Sequence, residues 1–211
     1  MQLGVWYKMK IDRIKMSVQN SDIRKNNFEE VALGYSLEEA KLEASRCLDC
    51  KKPRCVEACP VRVDIPGFIN LLRDEKLKEA YNEIYKDNIL PAICGRVCPQ
   101  EKQCEGACIV GIKSEPVSIG ALERFIGDKS LEENVTTVNV YQDNGYKVGI
   151  IGSGPAGLAC AGSMKRLGYQ VDVYEALHEF GGVLKYGIPD FRLPKTIVES
   201  EINRLKTMGI N

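Results

Sequence analysis

The chain has 211 residues, enough for one large domain or two small ones, with 29 basic and 29 acidic side chains and a formal net charge of zero. That balance gives no reason to expect nucleic acid or an anionic membrane as a partner. At 44% hydrophobic and 27% charged it is ordinary soluble globular material; nothing approaches a membrane span, and Met1 to Ser17 lacks the uninterrupted apolar core of a signal peptide, so a reducing cytoplasm is the expected setting.

Residues 1–30 read as an N-terminal arm that runs into a first short helix, with Phe28, Val31, Ala32 and Leu33 as its apolar face and Gly34 as its stop. Ser36-Leu37-Glu38-Glu39 is a capping box: the serine hydroxyl accepts from the third backbone N–H, and Glu39 reaches back to the cap. The helix that follows, through Ala40, Leu42 and Ala44, delivers Cys47 at its end. Asp64-Ile65-Pro66 turns the chain into a second helix carrying Phe68, Leu71, Leu72, Leu77, Ala80, Tyr81 and Ile84 at near-helical spacing, broken at Asn88 to Pro91. Ser118 caps a third helix through Leu122, Phe125 and Ile126. Residues 31–128 therefore read as a small all-helical domain and 129–146 as a linker, although Val135, Val138 and Val140 would also suit a short strand.

Eight of the nine cysteines lie between Cys47 and Cys108. The first group is Cys47-x2-Cys50-x4-Cys55-x3-Cys59-Pro60; the second is Cys94-x3-Cys98-Pro99, then Cys104 and Cys108. A cluster cube takes one ligand per iron, and a short cysteine run wraps three corners of one cube while its last cysteine, followed by proline, reaches a neighbouring cluster. Disulfides need an oxidising compartment. Zinc sites usually show paired short knuckles, and only Cys47 and Cys50 have that spacing. Iron–sulfur ligation is therefore the first reading, zinc the second and disulfides the third. Gly95, Gly106 and Gly111 either bring backbone close to a cluster or are plain turn glycines.

A second site begins at Lys147. Val148 to Ile151 reads as a buried parallel strand, followed by Gly152-Ser153-Gly154-Pro155-Ala156-Gly157, a helix through Leu158, Ala161, Met164 and Leu167, and a strand from Gln170 to Tyr174 that closes on Glu175. The first glycine makes the tight turn, the second admits a pyrophosphate to the backbone, and the third lets helix meet strand. Glu175 accepts from ribose hydroxyls and disfavours a 2′-phosphate, so the pocket suits FAD or NAD rather than NADP. Cys160 reads as a small core side chain, and His178 as a loop or packing residue. Gly181 to Pro194 is a glycine-rich stretch that either lies along a flat ligand or simply connects; 195–208 is an amphipathic helix with Val198, Ile202 and Leu205 inward. One strand–helix–strand unit is less than a doubly wound domain requires, so 147–211 is expected to be the first part of one.

Both cysteine groups, the Pro91-Ala92-Ile93-Cys94-Gly95-Arg96-Val97-Cys98-Pro99 run, the nucleotide fingerprint and the Gly181 to Pro194 segment resemble, in order, the small subunit of NADPH-dependent glutamate synthases. They are also similar to the N-terminal part of dihydropyrimidine dehydrogenase and to the larger subunit of the NADH-dependent reduced ferredoxin:NADP oxidoreductase. The resemblance runs from about Asn27 onward. It implies an α-helical two-cluster iron–sulfur domain followed by the start of an α/β Rossmann-like FAD domain, with NADPH binding farther along the full-length protein.

The implied role is electron transfer from NAD(P)H through FAD and two [4Fe–4S] clusters to a glutamate synthase large subunit or another redox partner. The implied FAD contacts are Gly152, Ser153, Gly154, Pro155, Ala156, Gly157, Glu175, Gly182, Val183, Leu184 and Arg192. The implied ligands are Cys47, Cys50, Cys55 and Cys108 for one cluster, and Cys59, Cys98, Cys104 and Glu123 for the other, with Cys94 as the alternative to Glu123. A ferredoxin:NADP oxidoreductase subunit, or a structural zinc and cysteine module without redox activity, are the competing readings. No side chain is expected to act as acid, base or nucleophile on a substrate carbon.

Overall fold

The structure is a computed structural model that describes residues 11–135 and 142–211. Its contacts divide the chain into two compact units: residues 1–19 with 32–133, and 20–31 with 134–211.

The first unit is mostly helical. A two-residue strand β1, Ser17–Val18, pairs antiparallel with β2, Ala32–Gly34. Helix α1, Ser21–Arg24, precedes β2 in sequence and belongs to the second unit. The expected first helix over Phe28 to Leu33 is thus corrected: Ala32 and Leu33 are in a strand, and Phe28 is 77% exposed. Helix α2, Leu37–Ser45, opens with the full capping box of Ser36 and Glu39, and Cys47 follows within its last turn.

After the short α3, Arg54–Glu57, the single helix expected over 65–84 is two. Helix α4, Ile65–Arg73, starts at Asp64, whose side chain accepts from the Gly67 N–H, and α5 is Leu77–Tyr85. Between them Glu75 takes a left-handed conformation at φ 60°, which ends α4 and redirects the chain. Phe68, Ile69, Leu72, Tyr81 and Ile84 are all essentially fully buried and form the core with Leu122 and Ile126.

Helix α6, Pro91–Val97, and helix α7, Ile119–Glu132, cross closely enough that glycine is needed at the contact. A Cβ on Gly95 would lie 2.5 Å from the Arg124 backbone nitrogen, and one on Gly127 would lie 2.6 Å from that of Ala92. Gly95 is therefore a helix residue rather than a turn glycine, and it lets two backbones meet. Ser118 is the N-cap residue of α7 but makes no capping bond to it; its N–H donates instead to Glu43. Helix α7 continues through Glu132, into the segment expected as linker. Of the valines considered for a strand there, Val138 and Val140 lie outside the described residues.

A buried ionic lattice ties these parts together. Glu43 and Arg46 are both fully buried and paired at 2.7 Å. Glu43 also accepts from the N–H groups of Ile14 and Ser118 at 2.7 and 2.8 Å, while Arg46 donates to the carbonyls of Ile11, Glu115 and Pro116.

In the second unit β3, Lys147–Ile151, pairs in parallel with β4, Gln170–Tyr174, across helix α8, Pro155–Arg166. Val171 also bridges in parallel to Ile210. The expectation of a buried β3 is corrected: its residues alternate between half-buried and exposed, and Ile151 is 93% exposed. Helix α8 packs against both strands. Cys160 is likewise exposed on α8 rather than in the core. Helix α10, Lys195–Thr207, buries Val198, Ile202 and Leu205 as expected. No helix of the described residues is long and apolar enough to cross a membrane.

Candidate metal centre and nucleotide site

Four cysteines line one cavity in the first unit. Cys47 follows α2, Cys50 lies in the loop into α3, Cys55 is on α3 itself, and Cys108 precedes a turn of 3-10 helix at Ile109–Ile112. The apolar wall behind them includes Ile65, Ile69, Val110, Val117 and Ile119. Burial, with the neighbouring Cys47 and Cys108 thiols, pushes the Cys55 thiol up to about 12, and burial beside Cys108 raises Cys50. Thiols gathered in an apolar pocket resist ionising until a positive centre compensates them, and a bound metal deprotonates its thiols outright. Among the described residues, no group of three or more His, Cys, Asp or Glu is drawn together tightly enough for a single ion. Four cysteines around a space, rather than a point, fit a cube better than one zinc ion.

Cys59, Cys94, Cys98, Cys104 and Glu123 form a second neighbourhood. Cys104 is buried and raised, first by desolvation and then by Glu123, with Cys59 contributing. Cys94 and Cys98 share a hydrogen bond, which lowers Cys98 to about 7 and raises Cys94. Burial raises Glu123 to about 8, opposed by a 2.6 Å hydrogen bond that its Oε1 accepts from Asn88. Helices α6 and α7 position this group: Cys94 rides on α6 and Glu123 on α7 across the glycine contact. Cys94, the expected alternative to Glu123, thus lies in the same neighbourhood as Glu123. Arg124, the residue beside Glu123, is committed elsewhere, donating to the Ala32 carbonyl at 2.9 Å and pairing with Asp128.

The second unit holds the glycine loop. Gly152 takes φ 93°, a left-handed conformation that favours glycine, and Gly154 caps α8. A Cβ on Gly154 would meet nothing within 4 Å, so the backbone there lies open to a ligand. A Cβ on Gly157 would fall 1.9 Å from the Gly152 carbonyl oxygen. This is the cradle a pyrophosphate needs, at the start of a 12-residue helix with Pro155 and Ala156 in its first turn.

Ser153, fully buried, joins three segments. Its N–H and Oγ–H donate to Glu175 Oε2 at 3.0 and 2.5 Å, and its Oγ accepts from the Gly181 N–H at 2.9 Å. Glu175 Oε1 accepts from the Leu177 N–H at 3.0 Å. These bonds, led by the serine hydroxyl, hold the Glu175 carboxyl down at about 2, so it is an anion and an acceptor at any physiological pH.

Gly182, at φ 52°, packs against the loop: a Cβ on it would lie 2.9 Å from Gly154 Cα. It opens the one-turn helix α9, Val183–Tyr186. Val183 and Arg192 are exposed, whereas Leu184 is 2% exposed and turned into the protein, so only its backbone can face a cofactor. His178 is an exposed loop residue. Sequence reasoning missed the Ser153 bridge and Asn88; the signal for the latter was an Asn two residues before Leu90-Pro91, an Asx-turn pattern at a helix start.

Gly157→Ala is expected to abolish retention of an added dinucleotide, NAD or FAD, through gel filtration and leave the iron content unchanged, because the new methyl strikes backbone that cannot yield.

Two family models match the chain: "Dihydroprymidine dehydrogenase domain II, 4Fe-4S cluster" over residues 24–135, and "NAD(P)-binding Rossmann-like domain" over 150–202. The glutamate synthase [NADPH] small chain of Azospirillum brasilense is 39% identical over 189 residues, which is 89% of this chain and 39% of that protein. That of Escherichia coli is 37% identical over 211 residues, all of this chain and 45% of that protein. The NAD-dependent dihydropyrimidine dehydrogenase subunit PreT of Salmonella typhimurium is 40% identical over 191 residues, 89% of this chain and 46% of that protein. The chain thus spans less than half the length of each of these relatives. It belongs to the 4Fe–4S cluster family of dihydropyrimidine dehydrogenase domain II, here joined to an NAD(P)-binding Rossmann-like domain in the arrangement shared with glutamate synthase small chains.

Proposed function

We propose that the chain is the iron–sulfur and flavin part of an electron-transfer oxidoreductase, passing electrons from NAD(P)H to a partner subunit, with a glutamate synthase large subunit as that partner. The observation that carries this reading is the pairing, on one chain, of a four-cysteine cavity with a glycine cradle closed by an ionised Glu175. When bound, FAD supplies hydride acceptance and two [4Fe–4S] clusters supply one-electron carriage. Cys47, Cys50, Cys55 and Cys108 hold one cluster; Cys59, Cys98, Cys104 and Glu123 hold the other. The Gly152 to Gly157 backbone takes the pyrophosphate, Glu175 takes the ribose hydroxyls, and Gly182 and Val183 flank the ring system. Cytoplasmic placement is part of the reading, because free thiolates persist in a reducing compartment.

A second reading keeps the electron path and changes the partner. Similarity to the dihydropyrimidine dehydrogenase subunit is as high as to the glutamate synthase small chains. Anaerobic NADPH oxidation by the complete protein, mixed in turn with a glutamate synthase large subunit and with the pyrimidine-reducing subunit of a dihydropyrimidine dehydrogenase, decides between them. Turnover that requires glutamine and 2-oxoglutarate supports the first; turnover that requires a pyrimidine instead overturns it. The 211 residues alone carry a single dinucleotide fingerprint and are expected to show no rapid NADPH oxidation.

A further inference from the structure

Asn88 lies between the two residues that compete to complete the second ligand set. It follows α5, 8% exposed, with its N–H bonded to the Ile84 carbonyl at 2.9 Å. Its Oδ1 accepts from the Leu90 N–H at 3.0 Å, which fixes the amide orientation, since a flipped amide would set NH2 against N–H. With Oδ1 so placed, Nδ2 faces Glu123 and donates to Oε1 at 2.6 Å. The same Oδ1 lies 3.5 Å from Cys94 Sγ.

The two ends of the amide therefore act oppositely. The donor end fixes the Glu123 carboxyl by its Oε1. The acceptor end faces Cys94 Sγ, where an amide oxygen offers a sulfur ligand no hydrogen bond. We propose that Asn88 is a positioning residue that selects Glu123 over Cys94 as the fourth ligand of the second cluster. The inference rests on the proposed ligand set. Neighbours that orient a first ligand commonly decide its use in metal sites.

The test uses protein whose clusters are assembled anaerobically and reduced with dithionite, read by electron paramagnetic resonance, iron and sulfide content, and circular dichroism. Glu123→Ala is expected to change one of two cluster signals, and Cys94→Ser neither. Asn88→Asp keeps the shape and the acceptor for Leu90 but replaces the donor to Glu123 by a second anion. It is expected to change or abolish the signal that Glu123→Ala changes, with the other signal and the helical spectrum intact. A wild-type signal in Asn88→Asp overturns the proposal, and so does loss of both signals or of the fold. A change in Cys94→Ser with none in Glu123→Ala overturns it at the ligand assignment itself, whatever Asn88→Asp does.

Discussion

Cys55→Ala is expected to halve the metal content of the protein, removing about four irons and four sulfides per chain and leaving about four of each. Cys55 lines the same cavity as Cys47, Cys50 and Cys108, and its thiol feels all three. A cube with one ligand missing exposes an iron to solvent, and burial raises the remaining Cys50 thiol, which disfavours its ionised form without the metal. None of Cys59, Cys94, Cys98, Cys104 and Glu123 lines this cavity, so a cluster held by that group is expected to stay. Cys160→Ala is the matched control: that thiol is exposed on α8, in the other unit, and its loss is expected to leave iron and sulfide unchanged. Equal iron in Cys55→Ala and the parent protein would remove Cys55 from the ligand set.

Glu43→Ala is expected to destabilise the cluster unit by about 3–5 kcal/mol, the usual result of stripping one partner from a buried ion pair. Arg46 would keep its carbonyl partners but lose the carboxylate of Glu43, at 0% exposure. The N–H groups of Ile14 and Ser118 would lose their acceptor at the same time. The effect is large because Glu43 bonds three separate stretches: the arm, α2 and the start of α7. The exposed Lys86–Glu83 pair gives the contrast, and Lys86→Ala is expected to leave the unfolding midpoint nearly unmoved. Urea unfolding of the three proteins under anaerobic conditions checks both statements. Equal midpoints for Glu43→Ala and the parent would show that the lattice does not hold the unit together.

The chemistry of the chain was more legible in its sequence than the packing that positions it. The capping box of Ser36 and Glu39 is local, decided within four residues, and appears as read. The glycine loop is also local, because tight turns and close approaches leave few residue choices; it sits between strand and helix as expected. The helix break at Glu75 was hidden, since a left-handed glutamate has no sequence signature, and the apolar spacing carried across it. The packing role of Gly95 was hidden because its reason lies some thirty residues away, in the backbone of Arg124. The exposure of Ile151 and Cys160 was missed for the opposite reason. A buried strand and a core cysteine each presuppose covering layers that the described residues do not supply. Likewise Asn88 could be read as a turn residue, but not as the group placed between Cys94 and Glu123.

The most direct test of the central claim is a visible spectrum with iron, sulfide, zinc and flavin analysis on one anaerobically prepared sample. Two clusters and a bound flavin predict about eight irons and eight sulfides per chain, with a broad band near ~400 nm and flavin released on denaturation. Zinc in place of iron, with no sulfide and no flavin, would contradict the electron-transfer account and leave the cysteines as a structural metal site.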